Sequence, residues 1–333
     1  MEHSSSVLAF AGALLLAGGG GSRLDDVTSG SFAERGAAAA WSRPLRTTEQ
    51  TPGIRPALAQ ANAAERALPA PESGRFSLLT YNVAGLPELV SGSDPEVNVA
   101  LISPLLNHYQ VALVQEDFSY HSRLSARALH AYRSEPMQSS LALMPDGLNY
   151  FSGYAFGWVH RVRWRECNGY LGAASDCLAD KGFSFAELTI AKGVTVDVYN
   201  LHAEAGRAPM DVEVRRANFE QLTEYMATRS RHRAVIVAGD TNLRMSAPRD
   251  GETLDRFLDA TGLADACRRF GCGDERLDRV LVRSSPEVEL DVLGWWTDRR
   301  FVDIEGAPLS DHLAVGVELG WHKRAELDLV AGR

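Results

Sequence analysis

Six short polar runs stand where apolar segments end, and their side chains suit one chemistry, the handling of a phosphoester beside a hard cation. They are Asn82, Gln115-Glu116, His202, Gly239-Asp240-Thr241-Asn242, Asp278-Arg279 and Ser310-Asp311-His312. Carboxylate and amide oxygens ligate divalent cations, and an imidazole beside an acid can carry a proton to or from a phosphate. An acid and an amide two residues apart at a strand exit, Asp240 and Asn242, can share one pocket, one handling water and the other a phosphate oxygen. An ionised Glu116 at the end of a buried strand costs several kcal/mol unpaired, and a cation would supply the partner. Taken singly, each run also has a plain structural reading. Asp311 could cap a turn beside a surface His312, Glu116 could be an exposed loop acid, and His202 a hydrogen-bonded structural residue. Asp240 could make an Asx-turn and Asp278-Arg279 an edge ion pair.

The elements that must position these residues are legible from their periodicity. Phe76-Ser77-Leu78-Leu79-Thr80-Tyr81-Asn82-Val83 is apolar on both faces and reads as a central strand, and Val111-Ala112-Leu113-Val114 as a second buried one, with a helix over about 97–109 between them. Residues 182–190 and 194–202 alternate strictly around Lys192-Gly193, which predicts a hairpin with one buried face. Phe219, Leu222 and Met226 fall at helical spacing over about 211–231, a core stripe. A short apolar strand over 234–238, a helix over about 253–261 and a strand over 277–282 follow.

With 333 residues, 45% of them hydrophobic, the chain can bury a substantial core. Its formal charge of −9 argues against bulk electrostatic binding of nucleic acid while leaving a local basic groove open. Residues 1–22 hold an apolar run, Val7 to Ala17, of signal-peptide length, too short to span a bilayer. Glu2 and the lack of Lys or Arg before it are atypical for such a leader, so a misassigned start or an uncleaved segment stays open. Residues 23–73, rich in Ala, Arg, Pro and Gly, read as a disordered linker, 74–322 as the catalytic domain and 323–333 as a tail. Cys167 with Cys177 and Cys267 with Cys272 form two local pairs, and bridging within each is the simplest of three connectivities, consistent with a secreted or periplasmic location. A four-thiolate zinc site is the competing reading, although only Cys267 and Cys272 approach knuckle spacing.

Thr80-Tyr81-Asn82, Gln115-Glu116, Leu201-His202, Gly239-Asp240-Thr241-Asn242, Asp278-Arg279-Val280 and Ser310-Asp311-His312 occur in the order and approximate spacing of the endonuclease/exonuclease/phosphatase superfamily, which the chain resembles over about 74–321. The resemblance implies a deoxyribonuclease-I-like α/β fold, two packed mixed β-sheets flanked by helices in four layers, with every motif at one rim. It also implies hydrolysis of a phosphodiester by water with magnesium, manganese or calcium being alternatives. Carried over, Glu116 is the principal metal ligand, with Asn82 beside it and Asp311 completing the shell. Asp240 orients or deprotonates the water, and Asn82, Asn242 and Arg279 contact phosphate. His312 faces the phosphate with Asp278 as its carboxylate partner, and His202 is a second catalytic imidazole. The acid that often orients that second histidine has no evident counterpart; Asn149 stands in roughly its place.

The substrate divides the signals. Tyr81-Asn82-Val83-Ala84-Gly85-Leu86-Pro87 looks more like bacterial sphingomyelinases and inositol phosphatases than nucleases. Leu293-Gly294-Trp295-Trp296 stands where those sphingomyelinases carry an aromatic-tipped hairpin that enters the membrane interface, so Trp295 and Trp296 are expected to make peripheral membrane contact; on a strand they would instead be core. His160-Arg161-Val162-Arg163-Trp164-Arg165 points the other way, since a row of cations from one strand face can track a nucleic-acid backbone; a solvated edge strand would look the same. The expected substrate is thus a phosphodiester of a lipid head group, with a secreted nuclease as alternative and an inositol-phosphate phosphatase after it. The intact acid and imidazole set argues against a non-catalytic binding module, and no obligate protein partner is evident.

Overall fold

The computed structural model describes residues 71–88, 94–138, 144–169, 176–273 and 276–324. The leader at 1–22, the linker as far as residue 70 and the tail from residue 325 lie outside the described residues.

Two sheets carry the fold. The first contains β1 (Ser73–Asn82), β2 (Val111–Gln115), β3 (Tyr132–Arg133), β4 (Asn149–Ser152), β12 (Val288–Thr297) and β13 (Val315–Lys323), in the order β12-β13-β1-β2-β4-β3. The second contains β5 (Ala155–Phe156), β6 (His160–Arg163), β7 (Gly182–Ala191), β8 (Val194–His202), β9 (Val235–Asp240), β10 (Ala264–Asp265) and β11 (Asp278–Arg283). Its order is β10-β11-β9-β8-β7-β5, with β6 paired to the other part of β7. Phe76, Leu78, Val111 and Leu113 from the first sheet meet Leu188, Val196, Val198 and Ile236 from the second in one buried core. The outer face of the second sheet packs on the helices Pro209–Arg229 and Pro248–Thr261 through Phe219, Leu222, Leu254 and Phe257. That of the first packs on the helix Pro95–Leu105 through Val99 and Ile102. Four layers result, because sheets apolar on both faces need cover on each side. Each such side chain removed from water contributes about 1.5–3 kcal/mol.

Strand direction sets the rim. The central pairs β1/β2 and β8/β9 are parallel, so Asn82 ends opposite Gln115 and His202 opposite Asp240. The strand β11 runs antiparallel to β9 and begins with Asp278 opposite Asp240, while β13 runs antiparallel to β1 and begins near Thr80. All six polar runs therefore arrive at one edge of the sandwich. Close approach there needs a glycine: Gly239 has φ of 148°, and a Cβ on it would lie 2.1 Å from the Leu201 carbonyl oxygen.

Trp295 and Trp296 are a correction. They lie inside β12, paired with Val317 and Gly316, and not on a hairpin tip. Trp296 stacks on Tyr109 and donates from Nε1 to its hydroxyl at 3.1 Å, and Trp295 packs on the inter-sheet core. The connection that follows, 298–314, reaches the functional rim, and its Ile304 is 99% exposed.

Both local cysteine pairs are bridged, Cys167–Cys177 and Cys267–Cys272, with Cα separations of 5.3 and 5.0 Å. No thiol is left for zinc.

Candidate active site

The end of β1 ties the rim together. Asn82 donates from Nδ2 to Glu116 Oε1 at 2.8 Å and to Asp240 Oδ2 at 3.2 Å, bridging carboxylates from different sheets. Ser310 Oγ donates to the Asn82 carbonyl at 2.7 Å and accepts from the His312 N–H at 3.1 Å, which fixes the entry to β13 against β1. Glu116 and Asn242 adopt φ of 56° and 51°, two of the three non-glycine residues with positive φ among those described. Such strain is held where the surroundings demand it, and here it turns both side chains toward the rim.

Asp240 is the hub. Its Oδ2 lies 3.3 Å from His202 Nε2 and 3.6 Å from His312 Nε2, and its Oδ1 accepts from the Asn242 N–H at 3.0 Å. The other His312 nitrogen, Nδ1, meets Asp278 Oδ2 at 2.8 Å. His202 Nε2 lies 3.8 Å from Glu116 Oε1. Asn242 donates from Nδ2 to the Ala203 carbonyl at 3.2 Å and keeps a second amide hydrogen for a ligand.

Charge is distributed unevenly over this set. Burial alone would lower the His312 pKa, but the Asp278 and Asp240 carboxylates outweigh it and hold the imidazole well above its ordinary value. Burial, reinforced by the Lys181 ammonium, pulls His202 well below. Asp240 would be raised by burial, yet His312 first, with Lys181 and the Asn242 N–H, holds it low. Burial pushes Glu116 up against the opposing pull of Lys181 and Asn82. At neutral pH the rim thus presents a cationic His312, a neutral His202 and an ionised Asp240.

Lys181 is the residue that motif reading passed over. It is half-buried, ion-paired with Asp176, and its charge acts on Glu116, Asp240 and His202. The available signal was a lysine immediately before the buried strand β7, on a segment tied down by the Cys167–Cys177 bridge. Glu204 joins it from the loop after β8; burial and the neighbouring Asp176 push its carboxyl up to about 9.

Other assignments move. Arg279 does not face the rim: it is fully buried on the opposite side of β11 from Asp278 and pairs with Asp265 at 2.7 Å. Asn149 does not orient His202, whose Nδ1 has no partner; its amide donates to Asp117 at 2.8 Å and its Oδ1 accepts from Ser134 and Arg161. The basic row is neutralised, Arg161 by Asp146 at 2.6 Å, Arg163 by Asp180 at 2.9 Å and Arg165 by Glu224 at 2.7 Å. Asp311 stays exposed at the rim, its charge felt by Glu116 and His312. Asp240, Asp278 and His312 each place one potential ligand atom within 4.8 Å of the others, as metal ligands would. The imidazolium already lies between those two carboxylates and would repel a second cation there, so a metal is better served at Glu116 and Asn82.

A sequence profile described as "Endonuclease/Exonuclease/phosphatase family 2" matches residues 99–267. A sphingomyelinase of Mycobacterium tuberculosis is 36% identical over 278 residues, 76% of this chain and 54% of that protein. The chain thus spans about half the length of the curated relatives it matches. Among solved structures, a beta toxin mutant of Staphylococcus aureus with bound magnesium ions superposes with a TM-score of 0.55 at 16% identity, covering 73% of this chain and 99% of that one. Sphingomyelinase C of Streptomyces griseocarneus does so with 0.55 at 19% identity, covering 74% and 99%. The two-sheet architecture is therefore shared with these proteins, and the profile match across half of the sequence, which takes in β2, β8 and β9 with Glu116, His202 and Asp240, makes this chain a member of the endonuclease/exonuclease/phosphatase family.

Proposed function

We propose that the chain is an exported, divalent-metal-dependent phosphodiesterase acting on a sphingomyelin-type lipid. The observation that carries the reaction class is the continuous set Asp278–His312–Asp240–Asn82–Glu116, which joins a cationic acid, an ionised base and a metal-ligating carboxylate across both sheets.

The donor set suits a small hard cation. Glu116, Asn82 and Asp311 offer only oxygen ligands, and the Asn82 amide hydrogen bonds stand between two carboxylates where positive charge is wanted. Its Oδ1 accepts from the Ala84 N–H at 3.0 Å, so the amide reaches a cation through that oxygen only by turning over and giving up this bond. A cation held by Glu116, Asn82 and Asp311 would supply charge to neutralise the phosphate oxygens. Asp240, ionised and held by the Asn242 N–H and His202, accepts the proton of the attacking water. As the water oxygen bonds to phosphorus, the P–O bond to the leaving alcohol breaks; His312, kept protonated by Asp278, gives its proton to that departing oxygen, and the free Asn242 amide hydrogen binds a remaining phosphate oxygen. Neutral His202 keeps Asp240 oriented through Nε2.

Similarity to the mycobacterial sphingomyelinase supports the lipid substrate. The pairing of Arg161, Arg163 and Arg165 with acids removes the feature that favoured nucleic acid. Ile304 on the rim-side connection gives an apolar contact for a bilayer in place of the tryptophans. Two disulfides agree with an exported protein. The test is hydrolysis of sphingomyelin vesicles and of plasmid DNA in parallel, with magnesium and with chelator. Metal-dependent release of phosphocholine with intact plasmid is expected; nicked plasmid with untouched vesicles would overturn the substrate, and no metal dependence would overturn the mechanism.

A further inference from the structure

Two arginines at the mouth of the site have no acid to neutralise them. Arg207 follows the loop after His202, and Arg244 stands two residues beyond Asn242. Neither has an ion-pair partner among the described residues, and Arg244 Nη1 is buried without any hydrogen bond. An unsatisfied guanidinium nitrogen in that position costs free energy unless a ligand completes it. The surroundings make the cost larger. Burial, then the charges of Arg207 and Arg215, pull the Arg244 pKa below its ordinary value, so the guanidinium groups sense one another. Arg244 follows Asn242 by two residues on the loop that leaves β9, and the charge of Asp240 reaches it.

The pair is held in place by a single buried network. Arg215 Nη2 lies 2.9 Å from Asp250 Oδ1, and both residues are almost wholly buried. Arg215 Nη1 donates to the carbonyls of Glu204, Ala205 and Gly206 at 2.8, 3.3 and 3.3 Å, wrapping the Arg207 loop around its guanidinium. Asp250 Oδ2 accepts from the Arg244 N–H at 3.1 Å. One ion pair thus fixes the backbones that carry both free arginines. Nearby acids are engaged: Asp250 by Arg215, Asp211 by the Ala208 N–H at 2.8 Å and the Asn168 amide at 2.6 Å, while Glu204, pushed up to about 9, carries no charge at neutral pH. The helices Pro209–Arg229 and Pro248–Thr261 begin just beyond the two arginines and add their positive ends. In a chain of net charge −9, this is a built concentration of positive charge.

We infer that Arg207 and Arg244 form an anion subsite beside the reacting centre that takes a phosphate or carboxylate group other than the phosphodiester being cleaved. Guanidinium forks bind both groups through paired N–H donors. The source is an anionic lipid head group in the same bilayer or free phosphate in solution. A choline ammonium is turned away from this wall by like charge. The inference deepens the phosphodiesterase reading and rests on it for its role in turnover, though anion binding itself is measured separately.

The experiment titrates inorganic phosphate calorimetrically into the chelator-treated full chain, as wild type, Arg207→Gln, Arg244→Gln, Arg244→Lys and a charge-matched control, Arg75→Gln, at the far end of β1. Thermal melts check that each variant folds. Arg207→Gln and Arg244→Gln are expected to weaken phosphate binding about tenfold, the loss of one charge-assisted hydrogen bond, with Arg244→Lys intermediate and the control unchanged. In parallel, sphingomyelin turnover is followed in neutral phosphatidylcholine vesicles and in vesicles with phosphatidylserine. A response to phosphatidylserine that the Arg→Gln variants lose assigns the subsite to a lipid head group; weakened phosphate binding without that response assigns it to free anion. Phosphate binding that is the same in wild type, Arg207→Gln and Arg244→Gln overturns the inference. Failure of the wild type to cleave sphingomyelin removes the proposed substrate and leaves the titration to decide the subsite.

Discussion

Replacing Asp278 by Asn tests how the site sets the charge of His312. The Asp278 carboxylate is 5% exposed and meets His312 Nδ1 at 2.8 Å. Such a charge-assisted bond contributes about 1.5–3 kcal/mol, and with tenfold per 1.4 kcal/mol its loss disfavours the imidazolium by about 10- to 150-fold. Burial, which opposes protonation of His312, is then left against Asp240 and the weaker pull of Asp311. The pH profile of kcat/KM should keep its form on the acid side, while the alkaline limb moves to lower pH. The variant is therefore most impaired in mildly alkaline buffer and recovers as pH falls. Stability gives an independent readout. A raised folded-state pKa stabilises the protein below the ordinary histidine range, and that contribution is lost as pH rises through the folded value. Wild type should lose Tm over that window, and Asp278→Asn should lose less. An unmoved alkaline limb, or an equal loss of activity at every pH, would refute the view that Asp278 acts by holding a proton on His312.

Three further outcomes follow from the geometry. Glu116→Gln keeps the hydrogen bond to Asn82 in size but removes the charge, so activity should fall by about 10²–10⁴-fold and the rise in Tm on adding magnesium should vanish; a preserved metal response would move the ligand elsewhere. Arg161→Ala should leave the metal response intact but cost about 3–5 kcal/mol, because Asp146 is left buried without its guanidinium, a loss read by denaturant unfolding. Ile304→Asp should slow hydrolysis of sphingomyelin vesicles several-fold while leaving a soluble chromogenic phosphodiester unaffected; equal effects on both would deny the loop a bilayer contact.

Short motifs were enough to find the rim because polar groups at strand ends leave a local signature, an apolar run that stops at an acid, amide or imidazole. Asn82, Glu116, His202, Asp240 and His312 were legible for that reason, and the alternation of 182–190 and 194–202 gave the hairpin that presents His202. Adjacency alone misplaced Arg279, since consecutive residues of a strand face opposite sides and Asp278 took the rim. The tandem tryptophans resembled a membrane tip because their sequence neighbours do not reveal that β13 lies beside them.

What the sequence by itself determined is the set of acid, amide and imidazole side chains at the strand ends, the central strands, and the local cysteine pairs that the structure bridges. What only the tertiary structure decided is which charges remain free. Arg161, Arg163 and Arg165 are cations in the sequence and ion pairs in the fold, while Arg207 and Arg244 look ordinary in the sequence and are left unpaired at the site. The physical reason is that Asp146, Asp180 and Glu224 come from other elements of the chain. Pairing between charges depends on distances that folding alone creates, and so do the low dielectric and mutual proximity that set the charge states of His202, His312 and Lys181.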